Sequence, residues 1–188
     1  VYNQGVNIVL NIFGGPIVNA ARAIAFQVSG AANQLVTNFQ LATNPPIMKA
    51  YATGDKSVFR LLSSSSKLSY ILLLFIVIPF LLECSYVLKL WLKEVPEYSI
   101  MFVRLAMIDI LVCSLAGPLH TLMQATGSIR KYQIIVSGVL LMNLPLSYLM
   151  LKIGMSFDST FYVSISLSSI ALVIRYCLLR SYVEYSVK

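Results

Sequence analysis

The segment Asn19–Asn44, NAARAIAFQVSGAANQLVTNFQLATN, sets one guanidinium and a row of side-chain amides in an otherwise apolar or small-residue stretch. Arg22, Asn19, Gln27, Asn33, Gln34, Thr37 and Asn38 are its candidate binding residues. Their chemistry is recognition rather than bond making. A guanidinium forks onto phosphate or pyrophosphate, and each amide offers two donors and an acceptor to hydroxyl-rich groups. The stretch is also long enough to cross a bilayer. Lipid offers none of these groups a partner, so each must face protein, water or a polar ligand. That combination predicts a helix lining a transport pathway.

On a helical wheel at about 100° per residue, Asn19, Arg22, Ser29, Asn33, Thr37, Gln40 and Asn44 share one quadrant, and Gln27, Gln34 and Asn38 form an adjoining strip. Ile17, Ile24, Val28, Leu35, Val36 and Phe39 gather on the other side. Ala20, Ala21, Ala23, Ala25, Gly30, Ala31 and Ala32 keep the remaining surface small, which admits a close neighbour or a bulky ligand. The competing expectation is that the amides only join helices to one another.

Elsewhere, Asp109 is an intramembrane carboxylate and a candidate site for proton or sodium coupling, with an interhelical pairing to Arg104, Arg175 or a backbone group as the alternative. His120 lies beyond it, beside Gly117-Pro118. Pro79, Pro118 and Pro145 are candidate hinges, since a proline removes a helix hydrogen bond. Arg175 and Arg180 are spaced to snorkel to headgroups, and Trp91 and the tyrosines near span ends read as interfacial belts. Cys84, Cys113 and Cys177 sit in apolar runs without ligand spacing, so neither a metal site nor a disulfide framework is expected.

These residues must be carried by membrane helices. Hydrophobic residues make up 58% of the chain and charged ones 11%, against roughly 25% charged in soluble domains. Hydropathy places five spans, at Pro16–Asn44, Leu68–Leu92, Ser99–Leu122, Tyr132–Leu151 and Thr160–Val183, with residues 1–14 closing a sixth. The expected fold is thus an all-α polytopic bundle of five to six transmembrane helices forming a single membrane domain over 1–188. Gly14-Gly15-Pro16 and Asn44-Pro45-Pro46 read as turns, and residues 56–67 as an amphipathic lead-in lying at the headgroups. Spans 68–183 complete the bundle.

The net charge of +7 is assigned to topology rather than to nucleic acid. Lys49, Lys56, Arg60 and Lys67 in one connection, Arg130 and Lys131 in another, and Arg180 and Lys188 at the end alternate with weaker connections holding Lys89, Lys93, Glu94 and Glu97, or Lys152. The alternation puts the C-terminus in the cytoplasm. The opening Val1-Tyr2, with no initiator Met or basic leader, reads as the interior of a longer transporter.

The run NIVLNIFGGPIVNAARAIAFQVSGAANQLVTNFQLATNPPIMKAYATGD resembles the central signature of Wzx-type polysaccharide flippases, within the multidrug/oligosaccharidyl-lipid/polysaccharide exporter superfamily. The match covers about the first 55 residues; the other spans fit in number and spacing. The resemblance implies one lobe of a two-lobed exporter, the C-terminal one. Its missing N-terminal lobe would be the first partner, and the fragment alone would not transport. It further implies an undecaprenyl-pyrophosphate-linked oligosaccharide as substrate, moved by alternating access across the bacterial inner membrane for cell-surface polysaccharide such as O-antigen. Membrane lipids and polysaccharide polymerase machinery are the further implied partners. Arg22 would hold the pyrophosphate and the amides the sugar. A cation-coupled multidrug antiporter is the alternative within the superfamily; a membrane glycan polymerase or acyltransferase is less favoured, since one His and short loops suit catalysis poorly. No enzyme activity and no bound cofactor are expected.

Overall fold

The computed structural model describes residues 2–55, 57–127 and 129–186. All regular structure among them is helical: α1 (Tyr2–Ala52), α2 (Val58–Leu82), α3 (Cys84–Trp91), α4 (Ser99–Ser114), α5 (Ala116–Ala125), α6 (Ile129–Leu141), α7 (Asn143–Lys152) and α8 (Ser159–Ser186). Five stretches are long and apolar enough to cross a membrane: Gln4–Ala52, Val58–Leu82, Ser99–Ala125, Ile129–Lys152 and Ser159–Arg180. The protein is a polytopic helix bundle. Lys56 and Lys188, two of the charges used to assign topology, lie outside the described residues.

α1 is broken where the sequence placed a turn. Gly15 has φ 68° and ψ −168°, a backbone that a side chain would strain. Pro16 follows, and its missing N–H makes the interruption cheap. The two arms are 2–14 and 16–52. At 1.5 Å per residue the second arm is roughly 55 Å long, well beyond a hydrocarbon core of about 30 Å. Its far end must tilt or stand out of the membrane.

Two expectations are corrected here. Asn44-Pro45-Pro46 is not a loop; the helix runs through it and closes at Thr53–Asp55, where the N–H of Thr53 reaches the Lys49 carbonyl and that of Asp55 the Ala50 carbonyl. Adjacent prolines cost the helix two neighbouring bonds on one turn, and Ile47 and Ala50 beyond them are buried strongly enough to hold it. Within the expected 56–67 lead-in, of which Lys56 lies outside the described residues, residues 58–67 are continuous with the helix that follows. Val58, Leu62, Ser65, Ser69, Leu73 and Val77 form one buried stripe along α2, so the lead-in is the first turns of that span. The span accordingly ends earlier, at Leu82, and Glu83 breaks the chain into α3.

The remaining breaks follow the prolines. α4 gives way to α5 at Leu115, three residues before Pro118, and α6 to α7 at Met142, three before Pro145. In each case proline occupies the first turn of the new helix, where a backbone N–H would have no intrahelical partner. Pro79 instead sits in the last turn of α2, its carbonyl accepting from Glu83 N–H.

The apolar interior consists of two clusters. One gathers Val6, Leu10, Val18, Ala25, Val36, Leu73, Val77, Leu88, Phe102, Val103 and Phe161 around α1, α4 and the start of α8. The other gathers Ile47, Val58, Leu62, Leu119, Leu122, Met123, Tyr132, Val136, Ala171 and Leu179, around α5, α6 and the ends of α1 and α8. α1 packs most extensively on α4 and α2, and α8 on α4, α6 and α7.

Candidate functional site

The amide-bearing arm of α1 divides into two strips. Ala20, Ala23, Gln27, Gly30, Ala31, Gln34 and Asn38 are exposed, recurring every three or four residues on one face. Gln34 Nε2 donates to Asn38 Oδ1 across one turn at 3.1 Å, so the two amides present a joined polar surface. Small residues between them leave the face shallow. Beside it, Gln27, Ala31 and Leu35 border a groove of about 480 Å³ shared with Ile76, Phe80, Val87, Leu88, Trp91 and Met107, almost wholly apolar.

The other strip turns into the bundle. Arg22 is 2% exposed. Its Nη1 reaches Thr160 Oγ1 at 3.4 Å, and its guanidinium lies 4.8 Å from the centre of the Phe26 ring and 5.1 Å from that of Phe161. Ser29 is buried and donates to the Phe26 carbonyl. Gln40 Nε2 donates to the Ser114 carbonyl at 2.9 Å, and Asn44 Oδ1 accepts from Thr121 Oγ1 at 2.8 Å. Thr43 and Ser65 hydroxyls meet at 2.8 Å. Asn19, Asn33 and Thr37 are half-buried between the strips, and Thr37 donates to the Asn33 carbonyl. Three of the seven residues in the wheel's polar quadrant, Arg22, Gln40 and Asn44, therefore bond to other helices, Ser29 and Thr37 bond within α1, and the three of the adjoining strip are the exposed ones. Ile17 and Leu35, on the wheel's apolar side, are exposed.

Asp109 faces α8 rather than Arg104. Its Oδ2 accepts from Ser164 Oγ at 3.2 Å, whereas Arg104 is exposed. Thr160, Ser164 and Ser168 follow at four-residue intervals on α8, placing hydroxyls opposite Arg22, Asp109 and Cys113 in turn; Cys113 Sγ lies 3.7 Å from Ser168 Oγ. That spacing is visible in the sequence, but its partners come from two other helices. Arg175 is not a snorkelling anchor: its Nη1 donates to Tyr132 Oη at 3.1 Å. Tyr132 is correspondingly no belt residue but 1% exposed, stacked on His120 at 5.8 Å. His120 Nε2 lies 3.1 Å from Gln124 Nε2. Cys84 is a buried residue, and Cys113 and Cys177 are exposed residues. Among the described residues no three His, Cys, Asp or Glu side chains gather as a metal site would require.

Outside the membrane, Asp55 accepts from the N–H and the hydroxyl of Ser57, both at 2.8 Å. The Ser57 N–H first and its hydroxyl second hold the Asp55 carboxyl below the usual carboxylate range. The contact ties the connection to the start of α2. No family model, curated protein or solved structure matches the chain.

Proposed function

We propose that this chain is one wall of a transmembrane pathway for a lipid-linked, hydroxyl-rich substrate, such as an undecaprenyl-pyrophosphate oligosaccharide in a bacterial inner membrane. The observation that carries the reading is the open face of α1. Gln27, Gln34 and Asn38 stand exposed on an apolar membrane helix among alanines and glycine, and exposed amides in hydrocarbon are costly unless water or a polar ligand meets them. Amides suit sugar hydroxyls because each both donates and accepts. The adjoining apolar groove at Gln27 and Trp91 offers the lipid portion a surface beside the amides. Asn19, Asn33 and Thr37 border this face. Arg22 meets an anionic group only in a conformation in which α8 has moved away from it, since Thr160 and Phe161 now cover its guanidinium.

A second reading, a cation-coupled exporter of another substrate, is favoured by one contact, the Asp109 carboxylate held on α8 by Ser164. Replacing Gln27, Gln34 and Asn38 together by leucine in the intact transporter separates the two. The flippase reading expects lipid-linked oligosaccharide to accumulate on the cytoplasmic leaflet while the protein stays in the membrane at normal abundance. Unchanged export in that variant overturns it.

A further inference from the structure

We propose that the bundle bends at a polar waist between its two apolar cores, and that Gln40 is the latch that holds it closed. This stands apart from any choice of substrate. The two cores share no residue, and polar groups occupy the level between them. These are Gln40 and Thr43 on α1, Ser65 and Ser69 on α2, Ser114 at the end of α4, and Ser168 on α8. Ser65, Ser69, Ser114 and Ser168 are all buried. Two of the five spans are broken at this level, at Leu115 and Met142, each break followed by a first-turn proline. Both break residues keep near-helical backbone, with φ and ψ of −70° and −22° at Leu115 and −62° and −13° at Met142. They are soft joints rather than turns.

Gln40 fits one of these joints. Pro118 has no N–H, so the Ser114 carbonyl four residues earlier loses its helix partner. Gln40 Nε2 supplies the missing donor at 2.9 Å. One turn along α1, Asn44 takes the Thr121 hydroxyl on the other side of the proline. The approach requires Gly117, where a methyl group would collide with the Gln40 amide. α1 thus grips both sides of the α4/α5 joint. An apolar core resists shear because every side chain would lose contacts, whereas a layer of hydrogen bonds can exchange partners with little loss.

Hydrogen exchange on the intact chain in phosphatidylethanolamine and phosphatidylglycerol nanodiscs tests the latch. Gln40→Met keeps length but not the donor, and amides 111–121 are expected to exchange about tenfold faster. Pro118→Ala restores the backbone donor, so Gln40→Met in that background is expected to change them less than twofold. Gly117→Ala, which displaces the amide while leaving α1 intact, is expected to reproduce the Gln40→Met effect if that variant folds poorly. Equal acceleration with and without Pro118 overturns the latch. For the bend, spin labels at exposed Ile134 and Tyr162, one beside each core, are introduced with the three native cysteines replaced. They are expected to give a broad distance distribution that narrows in Pro118→Ala/Pro145→Ala. An equally narrow distribution in both overturns it.

Discussion

At the residue scale, the informative side chains are those whose partners can be named. Asp55 shows how a loop carboxylate acts on a helix it does not belong to, by receiving Ser57 N–H and Oγ just ahead of α2. Its folded pKa is lowered from 3.8, so the unfolded chain takes up its proton first as pH falls. The contact's stabilisation is therefore fully present above the unfolded value and is lost as pH drops through the lower folded one. Asp55→Ala is expected to lower the melting temperature of the solubilised chain at pH 7, with the difference from the native chain closing as the pH falls through and below the ordinary carboxylate range. A difference that persists unchanged in acid would show that the carboxylate's charge is not what matters. Arg22 teaches a different lesson, because its type predicts a charged ligand and its surroundings supply two rings and a hydroxyl.

At the scale of elements, most of the chain's organisation follows from where proline and glycine sit relative to buried stripes. Gly15-Pro16 breaks α1 because the glycine adopts positive φ. Pro45-Pro46 does not, because Ile47 and Ala50 are buried on the far side. The Arg22 contact joins α1 to the start of α8, and its strength can be measured. Arg22→Met, which keeps the apolar stem and removes the guanidinium, is expected to cost about 2 kcal/mol, the size of a desolvated cation–π contact. Thr160→Val should cost about 1 kcal/mol, as for a single hydrogen bond. Chemical unfolding in mixed micelles reads both, and an Arg22→Met variant as stable as the native chain would show that the tie carries no net energy.

At the scale of the whole molecule, five spans fix the relative sides of the connections. Asp55 and Gly127 fall on one side of the membrane, Glu94 and Ser156 on the other. With the native cysteines replaced, single cysteines at Asp55 and Gly127 are expected to react with an impermeant maleimide from the same face of a sealed vesicle. Those at Glu94 and Ser156 should react only from the opposite face. Labelling of Asp55 and Glu94 from one face would require a re-entrant α2 instead of a span.

The membrane class, the number of spans and the break at Gly15 were legible in the residues alone. Hydrocarbon imposes length and apolarity on any helix that crosses it, and a glycine-proline pair acts on its own backbone. The periodicity also isolated Gln27, Gln34 and Asn38 as a strip of their own. What it left open was which polar strip stays exposed, because a wheel orders side chains around one axis and says nothing of what packs there. That was decided by α4, α5 and α8 closing over Arg22, Gln40 and Asn44. The same holds for Asp109 with Ser164 and Arg175 with Tyr132, whose partners lie 55 and 43 residues away in sequence. The proline at 118 was readable as a lost hydrogen bond; that Gln40 replaces it depends on two helices meeting at Gly117.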